Sequence, residues 1–194
     1  MNTSAPALTL QEPGNGRLEV FPLPLEEALL EQLLTEVFSQ HWQEVQFGIL
    51  IQGAVLEISP PCAPDLVRLL DGYLTVSFGA THFHVCIGNT RGSRRYPTAA
   101  EVAEQRKVSR AELYRHLNDG DEPISWGIRL FNGLDQQQLT IFLPNPFLTA
   151  SGRSLSPPDF TKLALWQHLR SKYLGLPERD EKDYLGKRFQ HCCS

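Results

Sequence analysis

The stretch Thr81-His82-Phe83-His84-Val85-Cys86-Ile87-Gly88 sets two imidazoles and a thiol at every second position. In an extended strand these three side chains share a face, because successive residues point to opposite sides. Histidines one residue apart are about 6.6 Å apart along a strand, within reach of a single ion. Cys86 is roughly 13 Å from His82 by the same rise, so a metal held by the two histidines needs its third ligand from elsewhere. Glu112 and His116, one turn apart on the helix predicted from Ser109, are candidates. The terminal Cys192 and Cys193 are a further source. Imidazole suits a divalent zinc or iron ion. Without a metal, the same histidines serve as hydrogen-bond or proton-transfer groups, because histidine changes charge near neutral pH. Covalent catalysis by Cys86 is less favoured: His84 stands beside it, but no third group orients the pair.

A hairpin has to position this face. Gly79-Ala80 reads as a two-residue turn between YLTVSF (73–78) and THFHVCI (81–87), with glycine where a type II′ turn needs it. Phe78 then opposes Thr81, and the pairs Ser77–His82, Val76–Phe83, Thr75–His84, Leu74–Val85 and Tyr73–Cys86 follow. One face is apolar: Leu74, Val76, Phe78, Phe83 and Val85. The other collects Tyr73, Thr75, Ser77, His82, His84 and Cys86, polar but uncharged, and a slip of one residue would destroy the separation. Such a face suits a ligand pocket better than open water, where Lys, Glu and Arg prevail. Arginines supply the complementary charge: Arg91, Arg94 and Arg95 in the glycine-bearing loop GNTRGSRRYP, Arg110 beyond it, and Arg129 in ISWGIRLF. Residues 91–116 hold seven basic and three acidic side chains. Guanidinium forks match carboxylate and phosphate, so a basic wall over a His/Thr/Ser floor predicts an anion site.

The remaining pattern predicts an α+β fold: a largely antiparallel sheet built of hairpins, with helices packed on it. Pro24 opens an amphipathic helix whose stripe is Leu25, Leu29, Leu33, Val37 and Phe38. Gln52-Gly53 and Asp71-Gly72 mark hairpins, although the apolar run DLVRLL (65–70) before the second suits a short helix equally. Thr98 with Glu101, and Ser109 with Glu112, form capping boxes that predict two helix starts. ISWGIRLF and QQLTIFLP form another hairpin, with Ile124, Trp126, Ile128, Leu130, Leu139, Ile141 and Leu143 inward and Thr140 outward. Ser156 caps a last helix that Gly175 stops, and Trp166 and His168 are packing residues of it. Residues 1–16 are expected to be a disordered tail, 17–176 a single α+β domain, and 177–194 a mixed-charge tail that docks on a partner.

With 41% hydrophobic and 21% charged residues, the chain has the balance of a soluble globular protein. No run approaches the roughly 20 apolar residues that span a bilayer, and the first residues lack a secretory signal, so the expected location is cytoplasmic, without membrane contact. The four cysteines form no disulfide framework. Net charge is -4, yet residues 1–90 carry two basic and ten acidic side chains and residues 91–194 carry sixteen and twelve. That dipole favours a small anionic molecule or an acidic protein partner and disfavours nucleic acid.

THFHVCIG (81–88), with SWGIRLFNG (125–133) and FLPNPFL (142–148), resembles a bacterial protein family of uncharacterised function over roughly Thr81 to Leu148. The resemblance implies no activity. Two functions follow from the residues alone. The first is a His82/His84 pocket with arginines that takes a divalent metal, a small anionic ligand, or both. The alternative is a non-catalytic binding or regulatory module recognising an acidic partner through residues 91–116. Whether the chain is an enzyme stays open at this level.

Overall fold

Period-two alternation and glycine turns organise most of the chain as strands, seen in a computed structural model that describes residues 7–51 and 53–188. In chain order these are β1 (Leu8–Glu12), β2 (Gly16–Pro22), α1 (Glu27–Gln40), β3 (Gln46–Gly48), β4 (Leu50–Ile51), β5 (Ala54–Val55), β6 (Leu66–Leu70), β7 (Tyr73–Phe78), β8 (Thr81–Cys86), α2 (Ala100–Arg106), β9 (Val108–Leu117), β10 (Pro123–Asn132), β11 (Gln137–Phe142) and α3 (Ala164–Leu174). Single 3-10 turns lie at Phe160–Leu163 and Glu181–Tyr184. The sheets are antiparallel and the architecture is α+β, as the hairpin pattern predicts. The chain divides into two units. One comprises Met1–Leu23, Glu112–Ile128 and Phe142–Ser194, the other Pro24–Ala111 and Arg129–Ile141.

The second unit contains a three-stranded sheet of order β6-β7-β8. Asp71 (φ 49°) and Gly72 (φ 77°) make the turn that pairs Leu70 with Tyr73. Gly79 (φ 72°) makes the next, and the register of β7 with β8 is the predicted one from Phe78–Thr81 to Tyr73–Cys86. Leu74, Val76, Phe78 and Val85 are buried. Phe83 packs with Phe38 and Phe47 at ring-centroid distances of 5.2 and 4.8 Å, and Phe78 stacks on Phe47 at 5.9 Å. Each aromatic pair adds about 1 kcal/mol beyond the area it buries, so register and core reinforce each other. Helix α1 buries Leu30, Leu33, Leu34, Val37 and Phe38; Leu25 precedes the helix and is exposed, unlike its predicted place in the stripe. β4 and β5 form the small hairpin expected around Gln52-Gly53.

Two helix starts are corrected. Helix α2 begins at Ala100 after Ala99, with no side-chain cap, so Thr98 does not cap it. The segment from Ser109 is strand β9, not a helix. A capping box contributes about 1 kcal/mol of local preference. Val108, Ala111, Leu113, Tyr114 and Leu117 are buried in this strand, and pairing with flanking strands outweighs the cap. Thr140, expected to face outward, is buried.

In the first unit β1, β2 and β9 are successive neighbours. Residues 8–12, placed by the sequence reading in a disordered tail, pair with β2 from Leu8–Val20 to Glu12–Gly16. The reason is apolar: Leu10 packs against buried Leu18, Val20 and Tyr114. On the other parity Glu19 opposes Arg115 across β2 and β9, and Arg115 Nε donates to Glu19 Oε2 at 2.6 Å. Arg115 Nη1 also donates to Asp180 at 2.9 Å and Asp183 at 2.7 Å. Asp183 is fully buried and accepts the indole N–H of Trp126 at 2.9 Å and of Trp166 at 2.8 Å. Arg170 from α3 reaches the same two carboxylates at 3.3 and 3.4 Å. Residues 180–183, expected in a tail that docks on a partner, are thus bound by their own unit. Helix α3 begins at Ala164, later than a Ser156 cap implies, and Gly175 (φ 64°) ends it as predicted.

Replacing Asp183 by Asn should leave two buried guanidinia undercompensated and set a carboxamide N–H₂ against indole donors. A stability loss of about 3–5 kcal/mol is expected, measured by urea unfolding followed through tryptophan fluorescence. Asp119→Asn, an exposed control, should change little.

Burial works to raise the Asp180 carboxyl, but Arg115, the Lys182 backbone N–H and Arg170 outweigh it and hold the group below the usual carboxylate range. A depressed folded value stabilises above the unfolded value of about 4, and that contribution is lost as pH falls through the folded value. The stability gap between the protein and Asp180→Asn should therefore narrow as urea unfolding is repeated from about pH 6 to about pH 2.

Candidate functional site

The face of β6-β7-β8 opposite the phenylalanine core is built in three cross-strand rows. Register aligns Leu66, Ser77 and His82 in one, Arg68, Thr75 and His84 in the next, and Leu70, Tyr73 and Cys86 in the third. His82, His84 and Arg68 are exposed, Thr75 and Ser77 half-buried. The imidazoles stand edge to face with centroids 5.3 Å apart. Thr75 Oγ1 lies 2.7 Å from His84 Nδ1, a hydrogen bond that fixes the ring and turns Nε2 away from the threonine. The middle row therefore offers a guanidinium, a hydroxyl and an oriented imidazole side by side, with exposed Leu66 and Leu70 flanking Arg68.

The third row closes one end. Cys86 is buried, and its thiol donates to the Gly88 carbonyl at 3.4 Å. Burial pushes the Cys86 thiol up, against hydrogen bonding with Tyr73, so it is not set up as a thiolate nucleophile. Burial also raises the Tyr73 phenol, reinforced by Cys86 and opposed by Arg106. Arg106 thus joins the row from α2, and Gln138 of β11 ties the end of that helix down by donating to the Arg106 carbonyl at 2.6 Å.

The predicted arginines separate into three situations. Arg91, Arg94 and Arg95 are exposed in the loop after β8. Asp71 holds that loop by accepting from Thr90 Oγ1 at 2.9 Å, Arg91 N at 2.8 Å and Gly92 N at 2.9 Å, and these bonds keep its carboxyl below the usual range. Arg110 is paired with Asp135 at 2.7 Å and lies over the Phe131 ring at 3.4 Å. Arg129 is buried, 5.2 Å from the same ring. Arg129 is withheld from solvent, and Arg110 is accessible but held by its carboxylate and ring partners.

The proposed metal shell is not assembled. Among the described residues, no group of three or more His, Cys, Asp or Glu side chains stands ready to hold a metal ion. Glu112 and His116 are two positions of strand β9, not a turn of helix, and belong to the first unit, whereas His82 and His84 belong to the second. Glu112 is buried. Cys192 and Cys193 lie outside the described residues. A cleft of about 410 Å³ in the first unit is lined by Asn118, Glu122, Lys187 and Arg188 and includes none of the predicted residues.

Sequence reasoning missed Arg68 and Arg106. The signal for Arg68 was present: once Asp71-Gly72 is a two-residue turn, Leu70 opposes Tyr73 and Arg68 must oppose Thr75. Arg106 had no such signal, because only the path of the chain from β8 through α2 brings it to Tyr73.

No described helix is long and apolar enough to cross a membrane. Among solved structures, a crystal structure of ChuX is 14% identical, covering 82% of this chain and 78% of that one at a TM-score of 0.45. A protein from Agrobacterium tumefaciens is 14% identical over 84% of this chain and 73% of that chain, TM-score 0.49. A structure of the heme binding protein ChuX is 17% identical over 72% and 69%, TM-score 0.42. No curated protein matches the chain. Residues 7–175, most of the chain, match the model of a family of unknown function (DUF7676), and the protein belongs to that family.

Proposed function

We propose that the open face of β6-β7-β8 binds a small anionic molecule, with Arg68, Thr75 and His84 as its first contacts and His82 beside them. The observation that carries this reading is the 2.7 Å Thr75–His84 hydrogen bond in the row that also holds Arg68. With Nδ1 engaged by the Thr75 hydroxyl, Nε2 of His84 is left to meet a ligand oxygen. Arg68 adds a planar fork suited to carboxylate or phosphate. Thr75 supplies a neutral hydroxyl, the Ser77 hydroxyl is hydrogen-bonded to the carboxylate of Asp65 just before β6, and the residues of the three rows themselves include no acid. The role is binding: the Thr75 hydroxyl and the His84 imidazole are a hydroxyl–base pair, but no carboxylate in the rows orients the imidazole from its other nitrogen.

A second reading rests on the paired imidazoles and on the exposed leucines at either side of Arg68. Either histidine offers a nitrogen ligand to a metal that brings its remaining ligands with it. A flat metal complex with carboxylate edges, such as heme, meets imidazole, guanidinium and leucine at once. The arginines of residues 91–95 belong to a separate loop and are not needed for either reading.

Calorimetric titration with citrate, a tricarboxylate, separates these possibilities from a solvated face. Arg68→Ala and His84→Ala should each weaken citrate binding about tenfold, the range of a lost charge-assisted hydrogen bond. Hemin and zinc titrations of the same variants test the second reading: a Soret shift lost in His84→Ala supports it. Citrate affinity unchanged in both variants would overturn the anion site.

A further inference from the structure

The loop after β8 is built with more care than an idle connection needs, and what it presents is Arg91, Arg94, Arg95 and Tyr96. Asp71 clamps its base through three hydrogen bonds, and Thr98 N closes it onto the Arg91 carbonyl at 2.8 Å. Ser93 and Tyr96 exchange backbone hydrogen bonds at 3.1 Å each, and Tyr96 N also donates to Ser93 Oγ at 2.9 Å. Gly92 (φ 73°) is obligatory: a Cβ there would sit 2.5 Å from the Tyr96 carbonyl oxygen and 2.7 Å from Thr98 N. The result is a fixed turn whose tip holds the Tyr96 side chain 70% exposed, with Arg95 lying 5.4 Å from its ring centroid. Among the described residues neither Arg94 nor Arg95 is ion-paired with a carboxylate.

An exposed phenol ring on a hydrogen-bonded turn, beside unpaired guanidinia, is a combination for a ligand with both a flat ring and several negative charges. The aromatic face takes a base by stacking, and guanidinia take phosphate oxygens bidentately. One exposed ring fits one base, and three guanidinia within five residues fit one polyphosphate. A net charge of -4 works against a long polyanion. We propose that this tip is a second binding site, independent of the open sheet face, and that it takes a single nucleoside polyphosphate, with Tyr96 stacked on the base and Arg91, Arg94 and Arg95 on the phosphates.

The test is calorimetric titration of the full chain with ATP, with tripolyphosphate, which lacks the ring, and with a short single-stranded oligothymidylate. ATP should bind about tenfold more tightly than tripolyphosphate. Tyr96→Ala should remove that difference while Tyr96→Phe keeps it, and Arg94→Ala/Arg95→Ala should weaken both ligands. Tyr96 is exposed, so a matching thermal melt will show that its alanine variant is folded. The Tyr96-dependent difference between ATP and tripolyphosphate should persist in His84→Ala, which separates this site from the sheet face. Tripolyphosphate binding as tightly as ATP, ATP affinity indifferent to Tyr96→Ala, oligothymidylate binding in preference to ATP, or no binding of any of these would each overturn the proposal.

Discussion

Everything proposed for the second unit depends on which face of β7 and β8 is buried. Phe38, Phe47, Phe78 and Phe83 pack ring against ring at 4.8 to 6.3 Å, and this cluster accepts only one parity of the two strands. With Leu74, Val76, Phe78, Phe83 and Val85 turned inward, Thr75, Ser77, His82 and His84 have to face the other way. A one-residue slip would move two imidazoles into an aromatic core at a cost of several kcal/mol each, because neither would find its hydrogen bonds there. The open face is therefore held by the core behind it, which is also why its side chains are free to differ from those of a purely solvated strand.

The first unit solves another problem, that of a charged centre. Asp183 meets two guanidinia and two indole N–H groups with no exposure to water. Glu19 and Asp180 share the cations, and the Phe21 ring lies 5.5 Å from Arg115 and 5.1 Å from Arg170. Desolvating such a cluster is costly, and removing one member costs more than never having built it. Its consequence is topological: the chain after α3 must return to β9, which pins residues 180–183 to the strands that begin the chain. Its carboxylates are engaged by the cluster's own cations and indoles, while Arg170 Nε is buried without a hydrogen-bond partner, and the cluster serves architecture.

The hairpins were legible because their signals are local. Asp71-Gly72 and Gly79-Ala80 fix turns, two-residue turns fix registers, and registers fix faces. From Tyr73 to Cys86 nothing more distant was needed. Strand β9 was not legible, since Ser109 and Glu112 form a helix-start pattern whose advantage is smaller than that of pairing a ten-residue strand on both sides. The error propagated to the site, because Glu112 and His116 were chosen as ligands on the strength of a helical spacing. The charged centre was invisible for a related reason: Glu19, Arg115, Arg170 and Asp183 are far apart in sequence and carry no mutual pattern. The tail from 177 looked solvated by composition alone, and burial of Asp183 cannot be inferred from a run of mixed charge. Arg129 and Thr140 show the same limit, polar by type and yet buried in their strands.

The central claim is that the histidine face is a ligand surface and not merely a polar strand. Its most direct test is two-dimensional NMR of the imidazole and backbone resonances during addition of citrate. The account predicts saturable shifts confined to His82, His84 and their row neighbours Arg68, Thr75 and Ser77, with the His84 Nε2 signal moving most. Shifts that never saturate, or that fall on other elements while both imidazoles stay fixed, would contradict it.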